Sequence, residues 1–141
     1  MKSLKELNGS AAEVEAAFYD ALNRADLEAL MALWADDEEI VCIHPGGVRL
    51  IGHAAIRASW ASILTGGGLH IVPVQLHETH NLMSSIHTVI EGVTTGDNGP
   101  EHLLASNVYI KTPRGWRIVL HHASIAPGGA PADNAGAQIL H

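Results

Sequence analysis

At about residue 68 the spacing of apolar residues changes from three and four to two, which limits this 141-residue chain to a helical first half followed by a sheet. In AAEVEAAFYDALNR (11–24), Val14, Ala17, Phe18, Ala21 and Leu22 recur on one face, and Ser10 with Glu13 forms a capping-box pattern at the start. Asp26 is placed to cap a second helix bearing Leu27, Leu30, Met31 and Trp34 on one face, ended by the acidic cluster 36–39. A short strand, Ile40 to His44, and an extended Arg49-Leu50-Ile51 lead into a third helix, HAAIRASWASIL (53–64). The glycines 66–68 stop that helix. Four long strands are then expected at 69–80, 83–95, 101–111 and 115–125. The turns between them are short, which implies an antiparallel meander, and Pro73 marks a bulge or an edge.

Helices first and strands after is an α+β arrangement. It is read as one domain over 1–126, with a Gly/Ala/Pro-rich, extended or mobile tail over 127–141. The formal net charge is −7 with only 8 Lys+Arg, which argues against a nucleic-acid surface and a polybasic membrane anchor. The single cysteine, Cys42, allows no internal disulfide. With no signal-peptide core and no membrane-length apolar run, a cytoplasmic location is expected.

Strict alternation in the last strand puts Trp116, Ile118, Leu120, His122 and Ser124 on one face, with Arg117, Val119, His121 and Ala123 on the other. Both faces carry apolar residues, so a homodimer through the open sheet face is expected.

Three stretches, FYDALNRADLEALMALWADD (18–37), HPGG (44–47) and LIGHAAIRASWASIL (50–64), together with the closing GWRIVLHHAS (115–124), resemble the NTF2-like superfamily, in particular its SnoaL-like and ketosteroid isomerase-like members. The resemblance spans about residues 8–126. It implies a cone, with a strongly curved, mostly antiparallel sheet around three N-terminal helices and an apolar pocket at one end. Ketosteroid isomerases place an Asp before a Pro at the end of the first strand, a Tyr on the first helix and a protonated Asp on the penultimate long strand. The matching positions here are His44 before Pro45, Phe18 (with Tyr19 one residue on) and Asn107. The chain departs at all three, so that reaction by that arrangement is not expected.

The resemblance implies that His44, Asn107 and His122 converge on the pocket as base and polarising groups. Phe18, Trp34, Trp60, Trp116 and Leu120 would line it. The expected activity is cofactor-independent acid–base chemistry, isomerase- or cyclase-like, on a small apolar carbonyl compound. The alternative is a non-catalytic ligand-binding or dimerisation module, in which His44 bonds a turn carbonyl and His122 is a satisfied core histidine. Tyr19 and Tyr109 read as structural or interfacial. The acidic run 36–39 reads as a solvated turn, and Ser59, Ser84 and Ser85 lack a nucleophile context such as GxSxG. No metal or cofactor is expected: His77, His80 and His87 lie near one hairpin, but without a ligand motif such as HExxH. Histidines on the exposed sheet face would instead tune a dimer to pH.

Overall fold

The structure, a computed structural model, describes residues 9–94 and 99–127. Helix α1 (Ala11–Arg24) begins where Ser10 Oγ accepts the Glu13 amide at 3.1 Å. It ends at Ala25, whose left-handed backbone (φ 55°) returns its N–H to the helix. Asp26 caps α2 (Leu27–Met31) by accepting the Ala29 amide at 3.1 Å. That helix is shorter than the apolar spacing predicts, because the chain after it is captured by the last strand. Ile118 donates to Leu33 O and accepts from Ala35 N, both at 2.8 Å.

Strands β1 (Val41–Ile43) and β2 (Arg49–Ile51) follow, then α3 (His53–Ile63) with a 3₁₀ turn at Leu64–Gly66. Long strands β3 (Ile71–His80), β4 (Ser84–Val93), β5 (Glu101–Thr112) and β6 (Gly115–Ile125) complete a curved six-stranded sheet in the order β2-β1-β6-β5-β4-β3. Every pairing is antiparallel except β1 with β6. The α+β cone and the meander are as expected. The turn expected around 96–100 and the tail beyond Pro127 lie mostly outside the described residues. Among the described residues no helix is long and apolar enough to cross a membrane.

The core lies between α1, α3 and the concave face, built on Phe18, Leu22, Leu30, Ile56, Trp60, Tyr109 and Ile118. β3 is one of the two sheet edges, and its ladder shifts between Val74 and His77, with Gln75 at φ 51°, so Pro73 lies beside a bulge on an edge strand.

A second bulge changes the reading of β6. Tyr109 pairs with Ile118 and Val108 with Leu120, leaving Val119 unpaired. One extra residue inverts the side-chain phase beyond it. Trp116 and Ile118 keep the expected inward face. Leu120 and His122 do not: Leu120 turns to the convex face and His122 is exposed, while His121 and Ala123 are buried inside. Leu120 as a pocket wall and His122 as a pocket group are therefore corrected.

The junction between the two halves is tight. Asn23 clasps the start of β3, donating to Ile71 O at 3.0 Å and accepting from Ile71 N at 2.9 Å. This brings Gly68 against the Asn23 carbonyl, where any β-carbon would overlap backbone. Gly68→Ala should cost about 1–3 kcal/mol through forced backbone movement, read as a lower urea midpoint with an unchanged m-value.

Candidate functional site

Helical spacing of four puts Glu15 and Tyr19 together on the buried face of α1. Strand spacing of two puts Ser85, His87, Val89 and Glu91 of β4, and Ala105, Asn107 and Tyr109 of β5, on the face opposite. Polar side chains from both sides meet inside the cone. Glu15 Oε2 accepts from Tyr109 OH at 2.6 Å and from Asn107 Nδ2 at 3.1 Å. His87 Nδ1 lies 3.0 Å from the same oxygen, without the alignment of a hydrogen bond. Tyr19 donates to Glu91 Oε2 at 2.6 Å and accepts from Asn107 Nδ2 at 3.1 Å. Asn107 Oδ1 accepts from His121 Nδ1 at 2.6 Å.

Burial and hydrogen bonding drive the two carboxyls apart. Burial would raise Glu15, but the close approach of His87 and the hydrogen bonds from Tyr109 and Asn107 outweigh it and hold the carboxyl below its ordinary range. Glu91 is pushed up to about 7 by burial, which exceeds the lowering effect of the Tyr19 hydrogen bond, and the Glu15 charge adds to the rise. Tyr19 is raised by burial and then by Glu91. His121 falls to about 3, through burial and then the charges of His44 and His122, so it is a neutral donor.

His44 stands just beyond β1, at the second edge of this cluster. Ser59 gives its only proton to Ile56 O at 2.8 Å, so it accepts from His44 Nε2–H at 3.0 Å. The His44 ring meets Trp60 edge-on at 4.7 Å, and Trp60 in turn lies 5.8 Å from the His121 ring. Burial lowers the His44 pKa. Burial also pushes the neighbouring Cys42 thiol up to about 12, far from a reactive thiolate.

His44 and Asn107 are thus linked through Trp60 and His121, whereas His122 is outside. Asn107 has both amide protons and its carbonyl committed to protein partners, leaving no amide donor for a substrate oxyanion. Phe18 and Trp60 fill the interior. Trp116 instead walls a 210 Å³ cavity that Glu78, Ser85 and His87 also line. Glu15 and Tyr19 border a separate 250 Å³ cavity between α1 and β3, lined also by Gln75 and by apolar side chains such as Val74, Leu76 and Val89. Trp34 borders a 540 Å³ cavity with Asp36, Asp37, His53, Arg114 and Arg117. Among the described residues no three His, Cys, Asp or Glu side chains are grouped to hold a metal ion.

The sequence reading misses Glu15 and Glu91, and it weighs His87 only as a metal ligand and His121 only as a strand-face residue, not as members of this network. Its available signal was the Glu15–Tyr19 pair on an otherwise apolar helix face, repeated by Ser85-His87-Val89-Glu91 on one face of β4.

The SnoaL-like domain model matches residues 12–127. A Thiobacillus denitrificans structure assigned as a calcium/calmodulin-dependent protein kinase type II association domain is 38% identical, covers 83% of this chain and 95% of its own, and superposes with a TM-score of 0.77. A Streptomyces avermitilis protein of the NTF2-like family, assigned as a dehydratase, is 25% identical over 83% of this chain and 94% of its own, with a TM-score of 0.74. The F-box protein SKIP8 of Arabidopsis thaliana is 24% identical over 112 residues, or 79% of this chain. The chain spans about half (48%) the length of that curated relative.

The raised Glu91 carboxyl carries a sign for stability. Its folded pKa lies above the ordinary carboxyl value, so folding takes up a proton in the window from about 4.5 to about 7. Its contribution is full below that window and is lost as pH rises through about 7. Glu91→Gln should therefore unfold at higher urea than the wild type at pH ~8 and at nearly the same urea at pH ~5.

Proposed function

The chain belongs to the SnoaL-like domain family, and from that premise we propose that its cone is a small-molecule site in which Glu91 and Tyr19 move a proton on a small apolar carbonyl compound. The observation that carries this is the 2.6 Å Tyr19–Glu91 hydrogen bond, which joins a carboxyl poised at about 7 to a phenol, beside an ionised Glu15. Titratable groups whose surroundings force their pKa values apart are a mark of acid–base sites. A base poised near neutrality combines the right protonation state with useful driving force. Ionised Glu91 would take a proton from the carbon beside a carbonyl, and the same group, once protonated, would return it. The chemistry is of isomerase or dehydratase type and calls on no cofactor. The S. avermitilis neighbour supports that class.

In this reading the roles of His44 and Asn107 change. Asn107 positions Tyr19 and Glu15 together, His44 buttresses Trp60, and exposed His122 takes no part. Binding of 2-naphthol, a flat phenol resembling an enol, tests the site by fluorescence. Affinity should fall as pH rises through about 7, because laying an apolar ring against Glu91 costs more once the carboxyl is charged. Glu91→Gln should abolish that pH step. An unchanged step in the variant, or a Glu91 carboxyl that titrates by NMR in the ordinary range, defeats the reading.

A second reading, self-association, is favoured by the convex face. One row across it runs Val41, Leu120, Val108, Ile86, and another Leu104, Ile90, Val74. Ile86 is 47% and Leu104 40% exposed, so this face presents two partly exposed apolar rows, separated by the polar row His122, Ser106, Thr88 and His77. The T. denitrificans neighbour, assigned as an association domain, supports it. We accordingly propose a homodimer through this face, which is compatible with a working cone. Sedimentation velocity should give a dimer for the wild type and a monomer for Leu104→Glu; a wild-type monomer at ~100 µM removes the proposal.

A further inference from the structure

The proton-transfer reading leaves the other end of the buried network unused. There Ser85 Oγ lies 3.0 Å from His87 Nε2, and His87 Nδ1 lies 3.0 Å from Glu15 Oε2. Ser85 and His87 are two residues apart on β4, so the pleat turns both to the same face, and Glu15 meets them from α1. The order hydroxyl, imidazole, carboxylate is that of a nucleophile, its base and the group that orients the base. Such relays are recognised by geometry and not by motif. We propose that Ser85, His87 and Glu15 form an acyl-transfer site that hydrolyses small acyl esters.

Three further features fit that chemistry. First, Ser85 and His87 line the 210 Å³ cavity, which also reaches exposed residues of the β3–β4 hairpin. That volume is below the usual range for drug-sized ligands, so the acyl group must be short. Second, the cavity is bordered by Ala11 and Ala12, the first residues of α1. Ser10 satisfies the next two amides, its Oγ taking Glu13 N and its carbonyl Val14 N. The amides of Ala11 and Ala12 have no acceptor within the helix, and donors of that kind can hold the oxyanion of a tetrahedral intermediate. Third, Glu15 is kept ionised by its hydrogen-bonding contacts, as an orienting carboxylate requires.

The groups facing His87 are Glu15 from α1, Ser85 beside it on β4, the Tyr109 ring from β5 at 4.9 Å and Glu78 from β3, whose Oε2 is 3.4 Å from Nε2. Glu78 competes with Ser85 for that nitrogen. The ring must also turn slightly to align Nδ1–H with Glu15, a tightening that catalytic hydrogen bonds commonly show when substrate binds.

The steps balance without an added co-reactant other than water. Ser85 Oγ adds to the ester carbonyl carbon while its proton passes to His87 Nε2. The intermediate collapses with loss of the alkoxide, which takes that proton and leaves as the alcohol. Water, deprotonated by His87, then attacks the acyl-serine. This releases the carboxylic acid and returns the proton to Ser85.

The test uses the full chain, p-nitrophenyl acetate and a fluorophosphonate probe. Wild type should hydrolyse the ester and take up one fluorophosphonate, mapped by peptide mass to Ser85. Ser85→Ala should lose about a hundredfold or more of the rate and all of the label, with an unchanged circular dichroism spectrum. Ser85→Cys, which keeps a nucleophile, should retain a stable acetyl group on residue 85. Equal rates in wild type and Ser85→Ala, or a label on any other residue, overturns the assignment. Because Ser85→Ala leaves Glu91 and Tyr19 in place, 2-naphthol binding and its pH step should persist in that variant. Failure here and failure of the proton-transfer reading are therefore separable.

Discussion

The Glu15 carboxylate on α1 has been carried inside the cone, and the arrangement of the sheet answers to it. A buried charge is tolerated only when hydrogen bonds replace the water it has lost. Tyr109 and Asn107 supply those bonds from β5, and His87 approaches from β4. Meeting this demand fixes how α1 lies across two adjacent strands and which residues of those strands face inward. It also consumes the donors that a substrate would need, which is why Asn107 works as a hub and not as an oxyanion donor. The second carboxyl, Glu91, is denied similar support, and burial with the nearby charge leaves it near 7.

The helices, the four long strands and their order are legible in the sequence because each depends on a local period. Caps and turn residues then set the ends, as Ser10, Asp26 and Ala25 do here. What is not legible depends on partners far away in the chain. The early end of α2 depends on Ile118 pairing with Leu33 and Ala35. The inward face of β6 depends on one unpaired residue, Val119, which alternation alone cannot reveal. Glu15 and Glu91 are hidden by a general expectation that carboxylates face water. Ser85 is hidden because a strand, unlike a nucleophile elbow, leaves no glycine signature.

The resemblance gives the right fold, and the proposed proton-transfer reading places the acidic groups away from the position it implied. His44 does stand before the proline where the related isomerases carry a carboxylate, but its Nε2–H is spent on Ser59 and its ring is packed on Trp60. Acidic groups are instead supplied by α1 and β4, on the far side of Asn107. The same cone can thus carry its buried carboxyls on different elements, so likeness of fold does not by itself transfer a residue's role.

The bulge at Val119 has a consequence for how the chain finds its register. In a β5–β6 ladder that absorbed Val119 as an ordinary pair, Leu120 would stand opposite Asn107 in place of His121. The amide oxygen would then be sealed in an apolar interior with no donor, a penalty of about 1–3 kcal/mol. The Asn107–His121 bond thus acts as a lock on hairpin alignment. It discriminates against the slipped sheet even if its net contribution to the correct one is small, and an imidazole held well below its usual basicity is suited to that work because it stays a neutral donor across the physiological range.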